Sequence, residues 1–383
     1  MIKKLTGRNR ILKVLEGEIP DMLPFAPLLN DYFLSTLPPG IRTNDPVDGC
    51  RVLGVDVIDR WVTTFKDYYI SPYFGEDTFN SETLADSKIK VSMVVKGKNI
   101  YSTYRTPVGT LTCELSENKV AGSTKFFKET LIKTIDDIPA YKYIWEAKNP
   151  YPVYEITKKR IDYIGNDGIA MVLIPCTPLF QLIMYDLGLE KTTYFLNDYP
   201  DKMKKLLDVM AEKAINACKI AANSPAKVGI IAENSDTFLV SPKKFGEFCI
   251  PVISEYAKIY KKKGKYLFLH ACGHLKGLLE QISKIDGLSG IESLTPPPTG
   301  DVTLDYAREV LGDNMTIIGG MESVQFLNSN PEEVEIIVLK IIDKVKPGEH
   351  FILMPSDSTP AGVPVENFEA VKNAIYKYGQ WTK

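Results

Sequence analysis

"KYLFLHACGHLKGLLEQISKIDGLSGIESL", residues 265–294, holds two apolar runs, "KYLFLHAC" (265–272) and "GLSGIESL" (287–294), with a leucine-rich helical stretch between them. Short apolar runs of this kind read as strands buried on both faces, which is the habit of a parallel sheet whose crossovers are helices. The alternation extends in both directions. Downstream come "MTIIGGM" (315–321) and "HFILMPSD" (350–357); upstream come "KVGIIAE" (227–233), "GIAMVLIP" (168–175), "GVDVIDRW" (54–61) and "MLPFAPLL" (22–29). The intervening helices carry recognisable ends. Ser241 caps one, with Pro242 in its first turn and Pro251 expected to kink it, and Asn330 followed by Pro331 opens another that Gly348 ends.

Eight such units in 383 residues predict an α/β chain, a (β/α)8 TIM barrel covering 1–383 as a single domain. An open doubly wound sheet would use fewer strands and a glycine-rich first turn, and the sequence has no GxGxxG and no P-loop. One stretch departs from the pattern. "VSMVVKGKNIYSTYRTPVGTLTCEL" (91–115) reads as an antiparallel β-meander turning at Gly97 and at Pro107-Val108-Gly109, an insertion over 89–117 between the second and third runs.

The chain is 44% hydrophobic and 25% charged with a formal net charge of −2, which supports a sizeable core and argues against a nucleic-acid backbone as partner. Its six cysteines are scattered without CxxC pairing, as suits a reducing compartment. The basic start leads into no apolar signal core, and nowhere do about 20 apolar residues run together. The expectation is a cytoplasmic protein with no membrane contact.

In a (β/α)8 barrel, function gathers at the carboxyl ends of the strands. The residues closing the apolar runs are polar: Asn30 and Asp31 after the first, Asp59 and Arg60 in the second, Glu233, Asn234 and Asp236 at the fourth, His270 and Cys272 at the fifth, then Glu292, Glu322 and Asp357. Strand alternation points His270 and Cys272 the same way, and an imidazole beside a thiolate is half of a tetrahedral zinc site. The bland readings are a buried cysteine next to a hydrogen-bonded histidine, a salt-bridging Glu233, and an Asp357 that caps the next turn. His274 follows Gly273 into the next helix and should leave the shared face. His350 begins a strand at the opposite end and reads as structural. Tyr32, Phe33, Tyr69 and Tyr104 fit either an aromatic pocket or ordinary packing.

The run "KFGEFCIPVISEYAKIYKKKGKYLFLHACGH", with "IESLTPPPTGD", "MTIIGGM" and "PSDSTPAGVPVENFEAVKNAI", resembles the uroporphyrinogen decarboxylase superfamily, and "GRNRILKVLEGEIPDMLPFAP" looks like its usual N-terminus. The resemblance covers nearly the whole chain. True decarboxylases of that superfamily hold porphyrinogen carboxylates with an arginine-rich N-terminal loop and need no metal; "LPFAPLLNDYFLSTLPPGIR" lacks such a cluster. The other branch comprises zinc-dependent, corrinoid-linked methyltransferases with a His-x-Cys on the fifth strand and a second cysteine near the eighth. "HACG" matches the first element. No cysteine follows Cys272, and Asp357 stands about where the second would be.

The resemblance thus implies zinc on His270 and Cys272 with Glu233 or Asp357 as the third ligand, Glu233 first because it closes the adjacent strand. Glu233, Asp236, Asn30 and Asp31 are the candidate catalytic residues. Fewer thiolates leave more positive charge on zinc, which suits an oxygen-bearing substrate. The implied activity is methyl transfer from a small methylated substrate, a methoxylated aromatic compound in first place, to cobalamin (a corrinoid) supplied by a separate corrinoid protein, since the sequence has no DxHxxG motif. Transfer from a methyl-corrinoid to a thiol, a metal-free decarboxylase, and a non-catalytic ligand-binding barrel are the alternatives. Whether the barrel pairs as a homodimer is open at this level.

Overall fold

The structure is a computed structural model and describes residues 4–66, 88–118, 124–345, 347 and 350–381. Its contacts gather the chain into two compact units, one of Met1–Thr63, Tyr154–Ile174 and Ser224–Lys383, the other of Thr64–Val153 and Pro175–Asn223.

The first unit is built on seven parallel strands, β1 (Val57–Val62), β2 (Gly168–Ile174), β3 (Val228–Ile231), β4 (Tyr266–His270), β5 (Gly290–Leu294), β6 (Thr316–Met321) and β7 (Phe351–Pro355), paired in chain order. Their registers run from Val57 opposite Gly168 through Leu269 opposite Ile291 to Ile317 opposite Phe351. The eighth run, "MLPFAPLL", lies between β7 and β1 and joins the two edges. Leu353 N donates to Pro24 O at 2.9 Å, Ala26 N to Leu353 O at 3.0 Å, and on the other side Asp56 N to Phe25 O at 2.9 Å. It closes the (β/α)8 barrel with isolated bridges instead of a continuous ladder. Pro24 and Pro27 are the reason, because neither has an N–H to give a neighbouring strand.

Alternation fills the barrel. Ala26, Ile58, Met171, Ile230, Phe268, Ile318 and Ile352 face one another in a single buried cluster. Helix Gly7–Leu15 adds Ile11, Val14 and Leu15 to it, held where the strands begin by Arg8 N donating to Asn166 O at 3.0 Å. Thr6 caps this helix through its hydroxyl. Farther along, Ser241 accepts from Lys244 N and Asn330 forms a reciprocal box with Glu333, as their sequence positions require. Just ahead of Pro251 the helix passes through a π turn over Phe245–Cys249. Gly348 and Tyr69 lie outside the described residues.

Phe33 is core: it is fully buried, with ring centroids of Phe33 and Phe326 at 5.5 and 5.1 Å from that of Phe368. Tyr32 is exposed on the same short helix.

The second unit contains the meander, with strands Lys90–Lys96, Asn99–Thr106 and Gly109–Asn118 and a fourth, Thr124–Glu129, beyond the predicted three. Gly97 takes φ +60° in the first turn, and Pro107-Val108 form the second between the paired Thr106 and Gly109. Helix Ile138–Ala147 packs against it and helix Pro200–Ala222 against that helix, and Tyr104 is buried there. Inside, the Asp186 carboxylate accepts from Tyr141 Oη at 2.5 Å and Gln181 Nε2 at 2.6 Å.

The tightest backbone approach in the barrel is at Gly168, where a Cβ would lie 1.8 Å from Val57 O. Gly168→Ala should therefore cost about 3 kcal/mol or more, since strand backbone cannot step aside. Gly264→Ala, at φ +62° with nothing within 4 Å, should cost only about 1 kcal/mol. Urea unfolding of the two variants measures the contrast; equal losses would refute it.

Candidate metal centre

The register of β4 and β5 sets His270 directly opposite Glu292, and both side chains are buried. His270 Nδ1 lies 2.5 Å from Glu292 Oε2, to which Ser293 Oγ also donates at 3.0 Å. The other oxygen, Oε1, accepts from Arg60 Nε at 2.5 Å. Arg60 is buried as well, and its remaining donors reach Ile58 O at 2.9 Å, Ala26 O at 3.3 Å and Met354 Sδ at 2.8 Å. A charge inside a barrel persists only when paired and hydrogen-bonded, and Arg60 is paired with Glu292 and has a partner at each of its three nitrogens.

Two bulges aim these groups. Between Asp59 and Val62, β1 advances three residues while β2 advances two, and between Glu292 and Leu294, β5 gains a residue on β6. The extra residues, Trp61 and Ser293, take φ +63° and +73°, a conformation that costs a side-chain-bearing residue roughly 1–3 kcal/mol. Each directly follows a member of the Arg60–Glu292 pair. Asp59, one residue earlier, turns the other way to Arg160, which also pairs with Asp45. The Trp61 ring meets His270 edge to face, with centroids 5.4 Å apart and planes at 72°.

With Nδ1 facing Glu292, His270 has Nε2 to offer a metal, and Glu292 is the acceptor that fixes ring tautomer and orientation. Cys272 and Asp357 complete a group in which one ligand atom from each of the three residues lies within 4.8 Å of the others, the single such group among the described residues. Tetrahedral zinc with bonds of about 2.0–2.3 Å holds its ligands about 3.5 Å apart, so the nitrogen, sulfur and oxygen donors fit it with small adjustments. Three protein ligands is the number typical of catalytic zinc, with the fourth position left to a substrate or water. Cys272 and Asp357 are only partly buried, so the group has a solvent-facing side. Cys272 Sγ lies 3.7 Å from Asn234 Oδ1, and Asp357 N donates to Ser323 Oγ at 3.3 Å.

Glu233, the carboxylate placed first from its strand position, is fully buried and lies outside this group. Its N–H donates to Ile231 O at 2.8 Å, so the chain turns sharply at the end of β3 and strand alternation no longer aims its side chain. Asp236 accepts from Phe238 N at 2.7 Å and stands 3.9 Å from His274 Nδ1, supporting the loop after β4. The His274 ring packs on Phe238 at 4.2 Å and lies outside the ligand group. Asn30 caps helix Asp31–Thr36 by accepting from Phe33 N at 2.8 Å, and Asp31 is exposed in its first turn. Glu322 caps helix Ser323–Asn328, and His350 bonds Thr316 Oγ1 at 3.1 Å at the far end of the strands. Trp61 carried no signal in the sequence, because a bulge marked by tryptophan in place of glycine looks like ordinary strand.

Burial alone would raise the Glu292 carboxyl, but Arg60 and His270 outweigh it and hold it at about 2. Burial pushes the His270 imidazole down, and the facing Glu292 and Cys272 overcome this and hold it well above its ordinary value. In the metal-free site the ring therefore carries a proton that a metal must displace.

No helix among the described residues is long and apolar enough to cross a membrane. The "Methylated-thiol--coenzyme M methyltransferase" of Methanosarcina mazei is 25% identical over 170 residues, 44% of this chain and 44% of the relative. The chain thus spans less than half the length of that curated relative. A solved structure, a methyltransferase from Methanosarcina mazei, matches with a TM-score of 0.59 at 15% identity over 98% of this chain and 99% of that one, a likeness of fold. The uroporphyrinogen decarboxylase (URO-D) family model matches residues 104–378, which take in β2 to β7 and the His270–Cys272 turn, and the chain belongs to that family.

Proposed function

We propose that the chain is a zinc-dependent methyltransferase that takes the methyl group of a small methoxylated aromatic compound and passes it to a cobalt corrinoid carried by a separate protein. The observation that carries the reading is the meeting of His270, Cys272 and Asp357 at one barrel end. The methyltransferases among its relatives support the reaction class. His270, Cys272 and Asp357 would hold the zinc, which would supply Lewis acidity toward the ether oxygen of the substrate.

The chain's own residues do the rest. Glu292 holds the His270 ring in one orientation, and Arg60 keeps that carboxylate ionised so that Nδ1 retains its proton and the proton on Nε2 is the one a metal would displace. Asp357 in place of a second thiolate gives a harder donor set, which favours oxygen over sulfur as the substrate atom. In the overall change the methyl carbon leaves oxygen for the reduced cobalt of the partner, and the oxygen keeps the bonding pair and ends as a phenol after taking a proton. A second reading, with a thiol as methyl donor or acceptor, is supported by the name of the curated relative. Incubation with reduced corrinoid protein and a panel of methoxylated phenols and methylated thiols tests the two. Demethylation of the phenols supports the ether reading, and turnover of thiols alone replaces it with the second.

Zinc titration should show that His270→Ala and Cys272→Ser abolish stoichiometric binding while the fold survives. Asp357→Ala should weaken binding more than Glu292→Gln, for which a loss of about 10–100-fold is expected from removal of a ligand's supporting acceptor. Glu233→Ala should leave affinity unchanged. Normal zinc affinity in Asp357→Ala would refute this ligand set.

Because the His270 proton must leave before the ring can ligate, zinc uptake should release protons, and affinity should rise with pH and fall on acidification. Calorimetry in buffers of differing ionisation heat counts the protons released; none released would contradict the charged resting ring.

A further inference from the structure

We infer that Trp61 is the wall on which the aromatic ring of the methyl donor stacks, so that this side chain sets the preference for aryl over alkyl methyl ethers. The inference rests on the methyl-transfer reading above and names its substrate contact. Ile58 and Arg60 already point into the barrel by alternation, and an unbroken β1 would send residue 61 outward with Asp59. The extra residue in the Asp59–Val62 bulge reverses that. Arg60 and Trp61 are thereby both turned toward His270, at the expense of a positive φ that tryptophan rarely adopts. Cores are filled by aromatic residues without such a device, as Phe268 shows one sheet position from His270.

Two further features fit a substrate wall. Trp61 packs on the interior cluster yet remains only partly buried, unlike Arg60, His270 and Glu292, and it lines an open pocket together with Arg60. Aromatic pairs settle at centroid separations of about 4.5–7 Å, and with Trp61 and His270 in contact at 5.4 Å a ring stacked on Trp61 lies within two such steps of the His270 ring. An alkyl methyl ether has no π face for this contact and gains much less from it.

The test uses the full-length, zinc-loaded protein with Trp61→Ala and Trp61→Phe. Binding of 2-methoxyphenol is followed by calorimetry, zinc by elemental analysis, and turnover of 2-methoxyphenol and of an alkyl methyl ether with reduced corrinoid protein. Trp61→Ala should keep its zinc, weaken 2-methoxyphenol binding and raise its KM about tenfold, leave kcat much less changed, and lower the aryl-to-alkyl preference by the same factor. Trp61→Phe should recover most of the loss. If Trp61→Ala does not fold, Trp61→Gly, which suits φ +63°, takes its place. Wild-type binding and preference in the zinc-loaded Ala or Gly variant would overturn the inference, as would joint loss of zinc and binding in Trp61→Ala and Trp61→Phe alike, the mark of a merely structural ring. A wild-type protein that turns over methylated thiols and neither binds nor demethylates methoxylated phenols would overturn the functional reading itself, and this inference with it.

Discussion

An arginine with no access to water needs partners around its guanidinium, and in this barrel Arg60 finds them by reaching across to Glu292 while its other nitrogens take the Ile58 carbonyl of its own strand, the Ala26 carbonyl and the Met354 thioether. Removing one member of such a pair typically costs about 3–5 kcal/mol, because the other is left charged and stranded. The geometry of the metal group descends from this contact. Arg60 holds Glu292, Glu292 holds His270, and His270 stands beside Cys272 and Asp357. The bulges at Trp61 and Ser293 are the local distortions that let regular strands deliver these side chains.

The barrel was largely legible because buried parallel strands and amphipathic helices leave strong periodic traces. The capping residues Ser241 and Asn330 act as their positions imply, and the meander turns where glycine and proline mark it. The first run was harder to read. Its apolar pattern is that of a strand, but Pro24 and Pro27 reduce it to bridges, an outcome that depends on which edge each residue faces. The fourth meander strand, rich in lysine and exposed phenylalanine, had no buried face to announce it.

The site was legible in part. Alternation sufficed to put His270 and Cys272 on one face, but the relative height of two carboxylates depends on how the strands end, and the sharp turn after Ile231 that diverts Glu233 is written in backbone angles rather than in side-chain type. Asp357 gained its place from the end of β7 and its contact with Ser323. Asn30 and Glu322 are rim residues with helix-capping work, a use of polar side chains that a sequence does not separate from chemistry. The two left-handed residues, neither of them glycine, were invisible.

The closure of the barrel by its first run also orders events in time. The candidate ligand group draws on Asp357, just after β7, while the contacts beneath it draw on Ala26 and Arg60, in the first run and β1. Pairings so distant in sequence form late, after the intervening units have condensed. A nascent chain emerging from the ribosome therefore has His270 and Cys272 in hand well before Asp357 and the last strand arrive. The full set of candidate ligands belongs only to a closed barrel, so a metal bound there would have to wait for the last strand to dock.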